Sequence, residues 1–216
     1  MTFCLDSIII KPEEGIEIKY AIILLHGYGG DGKDISMLTL YWKRHMPNTV
    51  FICPNGHETC PINPSGFQWF DLTKNDKDYI LDQSIKAEKK INAFINEIKQ
   101  EFNLKNNQIC LSGFSQGCMM SLNVGLTSKE KFSCIVGFSG KIIDKNNLKL
   151  RIKNSTDTLL IHGDVDQVVP STYLLEAKDF LIRNNISVET LMIKNCDHNI
   201  PIEASSTALN YILKKN

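Results

Sequence analysis

Short apolar runs alternate along this chain with longer segments whose apolar residues recur every three or four positions. That alternation restricts the fold more than any other feature, because consecutive strand and helix signals build a mostly parallel sheet with helices on both faces. Strand signals fall at 17–25, 49–53, 108–112, 133–138, 158–162 and 187–193, with an edge strand at 7–11, giving a central sheet of about seven strands. Their near-continuous apolar content suits strands covered on both sides. The clearest helix is 79–102, where Leu81, Ile85, Ile91, Phe94, Ile95, Ile98 and Phe102 lie on one face against Lys, Glu and Asn. Further helices are expected at 34–45, 116–126, 172–184 and 201–214, the last opening with Pro201. Only 54–78, with Pro54, Gly56, Pro61, Pro64 and Gly66, lacks a regular period, and long irregular stretches in compact domains often carry function.

No repeat, low-complexity tract or compositional break marks a linker, so residues 1–216 are expected to form one domain. Lys plus Arg and Asp plus Glu both number 24, which gives no electrostatic footprint for nucleic acid or an anionic membrane. Lys86, Lys89 and Lys90, interleaved with Glu88, read as a solvated helix face. The N-terminus lacks a basic segment, and Ile8-Ile9-Ile10 is too short for a signal core. The aliphatic block 21–25 is far below the roughly 18 residues of a membrane span, so no stable membrane insertion is expected. Seven cysteines without a C-x-x-C pair favour reduced thiols and a cytoplasmic location. The five histidines are dispersed and form no zinc-ligand spacing, so neither a metal nor an organic cofactor is expected.

Between the strand signal at 108–112 and the helix signal at 116–126 stands Gly113-Phe114-Ser115-Gln116-Gly117. In that context G-x-S-x-G is a nucleophile elbow. The glycines clear space where the backbone doubles back, and the serine hydroxyl stands at a helix N-terminus that favours developing negative charge. A serine nucleophile needs a base and a group to orient it, in the chain order Ser, then Asp or Glu, then His when the scaffold is an α/β-hydrolase. His198 follows the strand at 187–193 and is the only histidine after His162. Asp164 and Asp166 both follow the strand at 158–162, and spacing alone does not choose between them. After the strand ending at Leu25, the glycine-dense run His26-Gly27-Tyr28-Gly29-Gly30-Asp31-Gly32 can turn a backbone N–H towards a carbonyl oxygen. The N–H groups of Tyr28 and Gln116 would then form an oxyanion hole, with His26 bracing the loop. Phosphate-loop patterns are absent there.

Jointly these segments resemble the bacterial phospholipase/carboxylesterase family, which includes the acyl-protein thioesterases. The resemblance rests on Leu-His-Gly-Tyr-Gly-Gly-Asp-Gly at 25–32, Pro54-Asn55-Gly56, Gln68-Trp69-Phe70-Asp71, the elbow at 113–117, Phe138-Ser139-Gly140, His-Gly-Asp-Val-Asp-Gln-Val-Val-Pro at 162–170, and Asp197-His198. It implies an α/β-hydrolase fold and places the triad acid on Asp166. Tyr28 stands where many members carry leucine, so its ring would re-line the pocket entrance.

The expected activity is hydrolysis of carboxylic esters or thioesters through an acyl-serine, with Ser115, Asp166 and His198 as triad. The stretch from Ser115 to Asp166 is too short for a large cap, so an open site is expected. Such a site would admit an acyl group on a small alcohol, a protein or a lysophospholipid. Trp69 and Phe70, with Phe67, would line an acyl groove or form a small core under the loop. Competing readings are a catalytically silent binding module and a peptidase or acyltransferase on the same scaffold. A monomer or a homodimer is expected, with exposed apolar surface near the elbow helix as the sign of the latter.

Overall fold

The strand β2 (Tyr20–Leu25) is buried at every position, yet its residues serve two different cores. Ala21, Ile23 and Leu25 pack on one side of the sheet with Ile91, Phe94, Ile95 and Ile98, whereas Tyr20, Ile22 and Leu24 pack on the other with Trp42, Ala208 and Ile212. Successive side chains of a strand point to opposite faces, so an unbroken apolar run is what a strand between two helical layers requires. Each fully buried Leu or Ile contributes roughly 1.5–3 kcal/mol relative to exposure.

The computed structural model describes residues 3–216. A seven-stranded sheet runs β1 (Ser7–Ile10), β3 (Thr49–Pro54), β2, β6 (Ile109–Phe114), β7 (Cys134–Phe138), β8 (Thr158–Gly163) and β9 (Val188–Ile193). Within this sheet only β1 pairs antiparallel; the other pairings are parallel. The chain winds outward from β2 to β3 in one direction and from β6 to β9 in the other. Loops at the carboxyl ends of β2 and β6 therefore meet at a topological switch point, where open α/β sheets bind ligands.

The 25-residue helix α3 (Lys77–Glu101) starts where Asp76 accepts the N–H of Tyr79 at 2.8 Å, and it buries Ala87, Ile91, Phe94, Ile95 and Ile98. The elbow helix α4 (Gln116–Thr127) is buried at all twelve positions, so it presents no exposed apolar face. The helices α6 (Thr172–Arg183) and α7 (Ile202–Leu213) lie close to their expected bounds.

Three features differ from the sequence expectation. The helix expected at 34–45 is divided into α1 (Gly32–Ser36), α2 (Thr39–Trp42) and a 3-10 turn at Lys43–His45. Ser36 Oγ donates to Lys33 O and Thr39 Oγ1 to Ser36 O, both at 2.7 Å, and such side-chain bonds compete with a continuous helical ladder. The irregular stretch contains a hairpin, β4 (Glu58–Cys60) with β5 (Asn63–Gln68), whose signal is masked by Pro64 and Gly66 on a short two-stranded edge. A short helix, α5 (Lys145–Arg151), follows β7 behind the N-cap of Asp144, and its Arg151 reaches Glu88 of α3 at 2.9 Å. Glu88 thus leaves the solvated face shared by the exposed Lys86, Lys89 and Lys90.

Candidate active site

Ser115 is the single residue between β6 and α4, and it takes φ +53° and ψ −114°, which non-glycine residues rarely adopt. The strain is held from both sides. A β-carbon at Gly117 would come within 2.0 Å of Leu25 O, and one at Gly113 within 2.3 Å of Gly117 C, so the turn closes only with hydrogen at both positions. The Ser115 N–H donates to Phe138 O at 2.8 Å, anchoring the elbow to the end of β7.

His198 lies on the loop between β9 and α7, with its ring 4.7 Å from that of Phe114. Its Nδ1 is 2.7 Å from Asp166 Oδ2. A carboxylate only accepts, so Nδ1 carries the hydrogen and Nε2 is left as the basic nitrogen. The other carboxylate oxygen, Oδ1, accepts the N–H groups of Val168 and Val169, each at 2.9 Å. Burial raises the pKa of Asp166, but the His198 bond and these two N–H groups outweigh it and hold the carboxyl below its usual range. Asp164, which spacing does not separate from Asp166, is exposed, and among the described residues it bonds only through its backbone N–H to Ile193 O and its carbonyl to Ser171 Oγ.

The loop after β2 runs beside the elbow: a β-carbon on Gly27 would meet that of Ser115 at 3.4 Å. Gly29 N–H donates to Phe67 O at 2.9 Å and Phe67 N–H to Gly30 O at 2.8 Å, so β5 braces this loop as a strand would. His26 joins it to Gly56, whose N–H donates to Nε2 at 2.8 Å while Nδ1 donates to Gly27 O at 2.7 Å. Burial pushes the imidazole below its ordinary range, and both nitrogens are engaged, so His26 is a neutral brace. Among the described residues nothing accepts the N–H of Tyr28 or that of Gln116, which opens α4. Burial, followed by the neighbouring Cys60 thiol, pushes the Tyr28 phenol up to about 12, so the ring is neutral.

Trp69 and Phe70 do not line the surface groove that opens near His198. Both are fully buried in the core beneath the loop, with Trp69 Nε1–H donating to His26 O at 2.9 Å. The expectation of an acyl-groove role for this pair is corrected accordingly: the indole N–H has its partner inside, and the rings pack under the site. The Gln116 side chain, for which the sequence carries no signal, holds this segment, accepting Trp69 N–H at 2.7 Å through Oε1 and donating to Phe70 O at 2.6 Å through Nε2. His162, a second residue outside the expected site, is buried 3.3 Å from Asp166 Oδ2 and bonds Val169 O at 2.7 Å. The H-G-D-V-D spacing contained that signal, since His162 and Asp166 flank one tight turn.

A groove of about 820 Å³ opens beside His198, Gly27 and Tyr28, with apolar walls. No group of three or more His, Cys, Asp or Glu among the described residues is arranged to hold a metal ion. No helix among them is long and apolar enough to cross a membrane.

The phospholipase/carboxylesterase family matches residues 7–216. Acyl-protein thioesterase 1 of Schizosaccharomyces pombe is 28% identical over 202 residues, covering 88% of this chain and 87% of its own. Acyl-protein thioesterase 1 of Saccharomyces cerevisiae is 30% identical over 176 residues, covering 75% and 77%. The crystal structure of esterase PE8 superposes with a TM-score of 0.93 at 32% identity, covering 98% of this chain and 99% of that one. Acyl-protein thioesterase 2 of Zea mays, at 21% identity and a TM-score of 0.77 over 97% of this chain and 98% of its own, shares the fold. With a sheet, an elbow and a family match that together span it, the chain belongs to the phospholipase/carboxylesterase family of α/β-hydrolases.

Proposed function

We propose that this protein is a serine hydrolase that cleaves carboxylic esters and thioesters through an acyl-Ser115 intermediate. The observation that carries the reading is the strained Ser115 at the head of α4, next in sequence to the Phe114 ring that packs on His198, whose Nδ1 is bound to Asp166. Family membership and the esterase and thioesterase relatives support the same chemistry.

In this mechanism His198 Nε2 takes the hydroxyl proton as Ser115 Oγ attacks the carbonyl carbon. The carbonyl oxygen becomes an oxyanion held by the N–H groups of Tyr28 and Gln116. His198 then returns the proton to the departing alcohol or thiol, leaving Ser115 acylated; a water deprotonated by His198 releases the acid and restores the serine. Asp166 keeps the imidazole oriented and stabilises its cation. The two oxyanion donors rank beside the triad, since losing one typically costs about 100- to 1,000-fold in rate.

The substrate class extends to acyl groups carried on a protein or a lysophospholipid, because the chain between Ser115 and Asp166 forms only α4, β7, the short α5 and β8 and inserts no helical cap. Residues 1–216 act as one domain, as a monomer or homodimer. Seven free cysteines, six of them buried, support a reducing location, the cytoplasm. The test is labelling with a fluorophosphonate, peptide mapping of the adduct, and turnover of short acyl esters and acyl thioesters. A single adduct on Ser115 with turnover of both, each lost in Ser115→Ala, is the expected result. A folded protein with no adduct and no turnover would mean a silent binding module, and amide cleavage or transfer to an added alcohol outrunning hydrolysis would mean a peptidase or an acyltransferase.

A further inference from the structure

The groove beside His198 is built by two elements that the catalytic chemistry does not use. One wall is the divided helix, with Ile35, Met37, Leu38 and Tyr41; the other is the entry to α7, with Ile200 and Ile202. The interruption of the first helix at Met37 and Leu38 matters here. The hydroxyls of Ser36 and Thr39 cap the preceding carbonyls, the helix restarts at Thr39, and the residues at and just after the break line the groove. The walls are tied together: buried Trp42 donates its Nε1–H to Ser205 Oγ at 3.0 Å and lies 3.2 Å from Ser205 O, so α2 and α7 hold a fixed spacing. A groove formed in this way needs no ordering when a ligand enters.

Met37 is 63% and Ile202 86% exposed, so each wall leaves apolar surface in water that an occupant would cover. The volume of about 820 Å³ lies in the range of small-molecule sites and, with a methylene comparable in size to the ~30 Å³ of a liquid water, exceeds the roughly 360 Å³ that a twelve-carbon chain fills. Asp34 lines the same groove and sets a carboxylate against any anionic chain end.

We propose that this groove binds the acyl chain of the substrate, as a linear, uncharged hydrocarbon, and that Met37 and Ile202 determine chain-length preference. The inference rests on the serine-hydrolase reading of Ser115. The groove begins at the Gly27–Tyr28 loop, which supplies an N–H to the acyl carbonyl in that reading, and a leaving group on a bulky carrier must remain in open solvent. The apolar volume is then left to the acyl side of the scissile bond.

The test compares kcat/KM for p-nitrophenyl esters from acetyl to dodecanoyl with that for acetate esters of ethyl, butyl and octyl alcohols, in the wild type and in Met37→Asp and Ile202→Asp. Both substituted positions are exposed, and thermal unfolding checks that the variants fold. Expected is a rise of about two- to fourfold per methylene in the acyl series up to roughly eight carbons. The octanoyl-to-acetyl ratio should fall at least tenfold in each variant. A flat acyl profile, or a ratio unchanged in both variants, overturns the inference while acetyl turnover and the Ser115 adduct keep the hydrolase reading. A variant-sensitive rise confined to the alcohol series reassigns the groove to the leaving group and also overturns it. Loss of acetyl turnover and of the adduct in wild-type protein removes the hydrolase reading itself, and the acyl assignment with it.

Discussion

His162 Nε2 lies 3.3 Å from Asp166 Oδ2, the same oxygen that His198 Nδ1 approaches at 2.7 Å. The two histidines do not compete as equals. His162 Nε2 is 2.7 Å from Val169 O, an acceptor, so its hydrogen is committed there, and burial keeps the imidazole below its ordinary range and neutral. His162 therefore holds the turn from Gly163 to Val169, and through it the carboxylate.

Removing this support should loosen Asp166 without removing any reacting group. His162→Leu is expected to lower kcat by about 10- to 100-fold with little change in KM, the size of effect that small misplacements produce. His162→Gln, which can place a donor near Val169 O, should recover most of that loss. Steady-state kinetics on a short ester, with the pH profile of kcat/KM, checks both; equal activity of the leucine and glutamine variants would reduce His162 to core packing.

His26 and His162 make stability dependent on pH with a definite sign. Both have native values lowered by burial, so below the unfolded value of about 6.5 the unfolded chain binds more protons than the native state. Stability should be level above pH 7 and decline as pH falls from about 6.5 towards 5. Asp166, also lowered, contributes stability that is lost only further down, as pH passes below the ordinary carboxylate range. Urea midpoints at pH 8, 6.5 and 5 measure this; a flat response over that range would contradict neutral burial of the two imidazoles.

The backbone of Ser115 is a reservoir of strain. A non-glycine residue at φ +53° and ψ −114° costs roughly 1–3 kcal/mol, and glycine would relieve it at an entropic cost of about 0.5–1 kcal/mol. Ser115→Gly should thus eliminate turnover and stabilise the fold by roughly 1 kcal/mol, a rise in Tm of about 2–4 °C for a chain of this size. Calorimetry decides it, with Ser115→Ala as the control that keeps the strain.

Gln116 connects the elbow to the segment beneath it through its side chain, independently of its N–H. Gln116→Met would strand the N–H of Trp69 and the carbonyl of Phe70 in the interior, at about 1–3 kcal/mol for each unsatisfied group. A lower Tm and a loss of activity are expected together, because β5, which ends at Gln68, braces the Gly29–Gly30 loop. Retained stability would show that water replaces both bonds.

Much of this architecture is legible in the chain itself. The apolar runs mark the central strands because burial on both faces leaves no room for polar residues, and the elbow reads through its two glycines because no other residue fits against Leu25 O and Gly117. The hairpin at residues 58–68 and the divided first helix are less legible. Their proline, glycine and hydroxyl residues carry loop signals, and only packing against the Gly29–Gly30 loop and Ser205 turns them into structure.

What the sequence determined alone is local: which segments are strands or helices, where the backbone must double back, and that a serine, a pair of aspartates and a histidine follow successive strands in that order. Spacing left Asp164 and Asp166 equal and could not say whether Trp69 and Phe70 face substrate or core. Tertiary structure decided both, because hydrogen bonding and burial are properties of the folded neighbourhood. Asp166 has His198 on one oxygen and two backbone N–H groups on the other, while Asp164 points its chemistry to solvent. Trp69 is sealed under the site by the His26 carbonyl, and the groove is left to residues 35–41 and 200–202, which meet only when α2 and α7 pack together.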